Sequence, residues 1–145
     1  VKLQAAAKMK IHSTNYYNTF IAVADDCPAS KGEIPAEKGG QKTVAGQQLE
    51  MIGKKPYQYT SAEVIFTLFA RRNDLAGDEL EEARKEFFSK GQACLRASAL
   101  GKRYGWGIHH NAEGKIAVYG CNTSEYRDYL NQKEVKVVKA IRSKK

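Results

Sequence analysis

The chain has 145 residues, of which 42% are hydrophobic and 28% charged. That length suits one domain with a core of its own, and that balance excludes disorder throughout. The net charge of +8 belongs to the ends: Lys2, Lys8 and Lys10 at one, and six basic residues against Glu134 within 131–145 at the other, leave residues 11–130 neutral. Such tails read as solvating rather than as specific readers, which speaks against nucleic-acid binding.

Cys27, Cys94 and Cys121 form no CxxC pair and are odd in number, so neither a zinc ribbon nor a complete disulfide framework is encoded. Reduced thiols in a cytoplasmic setting are the simpler reading. No apolar run is long enough to cross a bilayer, and the N-terminus lacks the apolar core of a signal peptide. VKLQAAAK, residues 1–8, precedes Met9 and is set apart as an extension or leader, with the globular domain expected over 9–145.

In chain order, YYNTFIAVA at 16–24 is aromatic and β-branched and lies between turn signals, which predicts a strand. Residues 28–42, with two prolines and three glycines, form a loop, and its length is that of functional or mobile loops. The glycines at 32–42 neither follow a strand nor end in the lysine-serine pair of a phosphate-binding loop. Thr43 caps a helix over 43–53, with Ala45, Leu49 and Ile52 on one stripe and Gly53 and Pro56 ending it. Thr60 and Glu63 have capping-box spacing ahead of a helix over 61–73, the most buried one expected, with Val64, Ile65, Leu68 and Phe69 on its apolar face. Asp78 opens a third helix to about residue 90, with Leu80, Ala83 and Phe87 toward the core.

A helical turn at 96–103 leads to strands at 104–110 and 115–120, joined through Asn111-Ala112-Glu113-Gly114, with Gly114 in the left-handed region. Residues 124–131 and 133–142 read as helices, although EVKVVKAI also alternates like a strand. The fold class is therefore α+β: a small antiparallel sheet packed against several helices.

Pairing Asn111 with Lys115 fixes both faces of the hairpin. Trp106, Ile108, His110, Ile116 and Val118 share the face turned to the core, with His110 half-buried at its edge. Gly105, Gly107, His109, Ala117 and Tyr119 share the other. The glycines there admit either a ligand or a neighbouring packed helix, and both readings stand. His109 with Tyr119 is the candidate catalytic pair, and Cys94 is a candidate nucleophile if cationic neighbours and His109 reach it. Arg96, Lys102 and Arg103, with Trp106, are candidate ligand-binding residues for a phosphate or carboxylate. Adjacent strand histidines point to opposite faces, so His109 and His110 do not share a metal ion, and no cofactor motif is present.

The stretches TNYYNTFIAVADDCP, PAEKGGQKTVA, PYQYTSAEVIF and FFSKGQACLRASALGKRYGWGIHHNAEGKIAVYG resemble a family of small bacterial proteins catalogued as a domain of unknown function, over 12–145. The resemblance implies one compact cytosolic domain and carries over no catalytic or ligand residue. From the residues alone, the expectation is a small binding module for an anionic small molecule or peptide. The alternatives are an enzyme with His109 as acid or base, a nucleic-acid binder acting through its basic ends, and a partner-binding or homodimeric protein.

Overall fold

The computed structural model describes residues 12–143. The expected leader at 1–8 lies outside them. Strand β1 is Thr19–Ala22. Helices α1 (Val44–Lys54), α2 (Ser61–Arg72) and α3 (Glu79–Ser89) follow, and then a 3-10 turn at Leu95–Ala97 and the short α4 (Ala99–Lys102). Strands β2 (Trp106–His110) and β3 (Ile116–Gly120), helix α5 (Ser124–Asn131) and strand β4 (Lys136–Lys139) complete the chain.

The four strands form one sheet in the order β3-β2-β1-β4. β2 pairs antiparallel with β3 and with β1, whereas β4 runs parallel to β1. The hairpin register is the one expected: Trp106 faces Gly120, Ile108 faces Val118 and His110 faces Ile116. At its turn, Asn111 Oδ1 accepts from the Glu113 and Lys115 amides, and Gly114 takes φ +79°. The positive φ explains the glycine.

The sheet is covered on both sides. Ile21, Ile108 and Ile116 meet Ile52 of α1 and Val64 and Leu68 of α2 on one face. On the other, Phe20 and Ala22 pack under Tyr126 of α5. All four β1 residues are therefore buried. A satellite cluster of Ala62, Phe66, Ala70 and Phe88 joins α2 to α3.

Local signals explain most helix boundaries. Thr43 Oγ1 accepts from Gly46 N at the start of α1. At α2 the capping box is complete, with Thr60 and Glu63 each bonded to the other's backbone amide, and Asn15 Oδ1 accepts from Ala62 N. Six residues of α2 are buried, the most of any helix described.

Several expectations are corrected. Residues 133–142 contain a strand, β4, not a helix: Val135, Val137 and Val138 are β-branched, and β1 offered an unpaired edge that a parallel strand completes. The sheet is consequently mixed. In α3, Leu80 is exposed and Phe88 takes the buried position, because α3 meets α2 along Phe66 and Phe87–Phe88. In α1 the buried stripe is Ala45, Gln48 and Ile52, and the helix runs through Gly53 to Lys54. His110 is fully buried rather than at an edge, with the Tyr16 ring edge-on at 5.4 Å.

Candidate functional site

A cleft of about 710 Å³ opens between α2, α3, the first turns of α1 and the segment 90–99. The α2 side chains that miss the main core, Ile65 and Phe69, form one wall; Ala83 and Phe87 of α3 form the other. Phe69 and Phe87 pack at 4.5 Å between ring centroids. Arg72, at the end of α2, and Lys90, after α3, lie with Glu86 on the charged part of the lining. Neither cation makes an ion pair with a described residue. The volume, the apolar walls and the few polar groups match those of small-molecule sites.

Gln48 also lines the cleft and is only 8% exposed. Ser98 caps α4 by accepting from Leu100 N at 3.1 Å, and its hydroxyl donates to Gln48 Oε1 at 2.6 Å. The Gln48 amide is thereby oriented with its NH2 turned away from Ser98, and that nitrogen has no hydrogen-bond partner among the described residues. That nitrogen is left to water, whose place a bound acceptor could take.

Cys94 is another lining residue, and its Sγ lies 3.2 Å from the Tyr16 hydroxyl. Burial pushes the Tyr16 phenol up, and the Cys94 thiol adds to this while Arg96 opposes it.

A second constellation occupies the other face of the hairpin. Tyr57, at the left-handed φ of +60°, places its hydroxyl 2.8 Å from His109 Nδ1, 2.8 Å from Tyr119 Oη and 3.2 Å from Tyr129 Oη. A backbone bond from Tyr57 N to Ile116 O, 2.8 Å long, holds the strained residue in place. Burial raises the Tyr57 phenol well above the usual range, with the Tyr119 and Tyr129 hydroxyls adding to it, and raises Tyr119 likewise. Burial lowers His109. Each of these three shifts favours the uncharged form of its group. One phenol oxygen has one proton and two lone pairs, so three neighbours saturate it. The Tyr129 ring stacks on His109 at 4.1 Å, and Phe20 stacks on Tyr129 at 5.2 Å.

The structure thus brings His109 and Tyr119 together through Tyr57, and places Cys94 elsewhere, on the cleft. Arg96 fastens β4: its Nε donates to Lys139 O and its carbonyl accepts from Ile141 N, each at 2.8 Å. Trp106 Nε1 donates to Glu33 O at 2.8 Å, and its ring lies against Gly32. Lys102 and Arg103 sit at the end of α4, on neither constellation. Gly107 is closed off by Phe20 and Tyr126, so at that position the helix-packing reading holds. Gln48, Tyr57, Arg72, Lys90 and Tyr129 were not singled out in the sequence. The one available signal was Gln48, a polar residue three positions after Ala45 and four before Ile52 on an apolar stripe.

Among the described residues no group of three His, Cys, Asp or Glu could hold a metal ion, and no helix is long and apolar enough to cross a membrane.

These features define an α+β protein with a four-stranded mixed sheet and an apolar cleft beside it. The chain matches the model of a family of unknown function, DUF6157, over residues 11–145 and belongs to that family. No curated protein and no solved structure matches it.

Proposed function

We propose that the protein is a binding module for a compact organic anion, an apolar or aromatic body bearing a carboxylate, held in the cleft between α2, α3 and segment 90–99. The observation that carries this reading is the mostly apolar cleft itself, with the Gln48 NH2 on its lining as a donor that no described residue uses and with Arg72 and Lys90 at its charged part. In the bound state Phe69 and Phe87 take the body, Gln48 donates to an acceptor on it, and Arg72 or Lys90 meets the charge. Three free cysteines suit the reducing, cytoplasmic setting that goes with this reading, in a chain forming one globular domain.

The catalytic reading of His109 has less support, since Tyr129 covers its ring and the cleft is lined by none of His109, Tyr57 and Tyr119. The nucleic-acid reading has less support too, since Lys139 of the basic C-terminal segment is paired with Asp25.

Calorimetric titration with 3-phenylpropionate, 2-naphthoate and decanoate, each beside its neutral amide, tests the proposal. Binding of at least one acid is expected. Ala83→Trp, which fills the cleft from a half-buried position, should abolish it with the circular-dichroism spectrum unchanged. The double variant Arg72→Ala, Lys90→Ala should weaken it about tenfold, the order expected for losing one charge-assisted contact. Equal affinity for acid and amide, or binding indifferent to Ala83→Trp, would count against the reading.

A further inference from the structure

The sheet topology carries two of the three cysteines to the same end of the molecule. β1 and β3 are each antiparallel to β2, so they run in the same direction, with Ile21, Ile108 and Val118 level across the three strands. Cys121 directly follows β3, and Cys27 lies five residues past the end of β1. Strands β1 and β3 are separated by β2, so a side chain at the end of β1 cannot reach β3 directly.

The intervening chain closes that gap. After β1 the backbone turns, with Cys27 N bonded to Ala24 O at 3.1 Å, and then crosses the start of β2 toward β3. The crossing is visible in two glycines. A Cβ on Gly105 would strike the Lys31 backbone and come within 3.1 Å of the Ala29 Cβ, and a Cβ on Gly120 would lie 3.2 Å from Gly32 N. Cys121 N in turn donates to Gly105 O at 2.8 Å.

As a result both thiols arrive at one atom. Cys27 Sγ lies 4.0 Å, and Cys121 Sγ 3.8 Å, from the same carbonyl oxygen, that of Ala29. Both contacts are at the long limit for a weak sulfur donor, so little holds either thiol in place. Both residues are half-buried and free, within reach of a small oxidant. Cys94 is apart from them, engaged with Tyr16 on the cleft.

We propose that Cys27 and Cys121 form a two-thiol modification site that hydrogen peroxide converts to an intramolecular disulfide, tying the root of the 28–42 loop to the end of β3. One thiolate attacks a peroxide oxygen; the O–O bond breaks, water leaves, and a sulfenic acid remains. The other sulfur then attacks the sulfenic sulfur, forming S–S and breaking S–O, and the hydroxyl leaves as a second water with the second thiol's proton. The two sulfurs together lose two electrons, and the peroxide takes them up. Burial, followed by the effects of Cys27 and Glu33, pushes the Cys121 thiol up, which makes peroxide oxidation slow at neutral pH and faster as pH rises.

The test uses the full chain, reduced, freed of reductant and exposed to a few equivalents of hydrogen peroxide. The intact mass should fall by about 2 Da, reversibly with dithiothreitol, as expected for a thiol pair becoming a disulfide. A non-reduced peptide map should join the peptides containing Cys27 and Cys121 and leave Cys94 free. Cys94→Ser should behave as the parent does, whereas Cys27→Ser and Cys121→Ser should each lose the mass decrease and gain oxygen instead. The same oxidation in concentrated urea should lose the pairing preference, which separates the fold's contribution from thiol chemistry alone. A bridge through Cys94, oxygen added at Cys27 and Cys121 without a bridge, covalent dimers alone, or an unchanged thiol content would each overturn the proposal.

Discussion

Tyr57 shows how much one residue can organise: its backbone takes a conformation that costs energy, and its hydroxyl serves three side chains at once. Tyr57→Phe keeps the ring and removes that oxygen. It should destabilise the protein by about 1–2 kcal/mol, because three half-buried polar groups lose a partner that water replaces only in part. An unchanged urea midpoint would show that the hydroxyl cluster contributes nothing net. His110 makes a different prediction. It is fully buried, neither ring nitrogen has a hydrogen-bond partner among the described residues, and burial lowers its pKa from 6.5 to about 4, with nearby backbone groups of Ile108 and Thr19 opposing in part. Below pH 6.5 the unfolded chain takes up a proton that the folded protein refuses, so its contribution to stability is lost as pH falls toward 4, by up to about 1.4 kcal/mol per pH unit. Lowered His109 acts in the same direction. Urea unfolding at several pH values between 7 and 4 should give a smaller slope for His110→Leu than for the parent; equal slopes would contradict the assignment.

Among the elements, the hairpin and α2 were the most legible, because their signals are local. A turn beginning with asparagine and ending in glycine fixes register, and register fixes which side chains share a face. A capping box likewise fixes a helix start. Thr60→Ala should therefore cost about 1 kcal/mol, measurable as a lower urea midpoint with an unchanged slope. β4 was ambiguous because alternation and helical spacing coincide over EVKVVKAI; what decides it is the free edge of β1, a partner more than a hundred residues away. On α3, Ala83 and Phe87 pack inward as expected and only Leu80 was misassigned, since the partner of that helix is a satellite cluster on α2, not the sheet. The meaning of Gly107 depended on what covers it. A Cβ there would run into Phe20 and lie 2.7 Å from Tyr126 Cε2, so Gly107→Ala should push α5 off the sheet at a cost of about 2 kcal/mol. Near-parent stability would show that α5 can shift freely.

At the scale of the molecule, the candidate site was the least legible part. The sequence pointed to the stretch 91–121, and the cleft does take residues 92–95 and 97–99 from it. Its other walls come from α1, α2 and α3, whose apolar residues read simply as core until packing shows which of them face a space. The cations near the hairpin were conspicuous in sequence, yet Arg96 serves β4, while Arg72 and Lys90 reach the cleft from the ends of two helices. One measurement bears most directly on the central claim that this cleft binds a compact organic anion. In a titration of the 15N-labelled chain with 2-naphthoate, 3-phenylpropionate or decanoate, the side-chain NH2 resonances of Gln48 should move downfield and saturate, along with backbone amides of Ala83, Phe87 and Ala93. Shifts confined to the surroundings of His109 and Tyr119, or a Gln48 side chain unmoved by every acid at millimolar concentration, would contradict it.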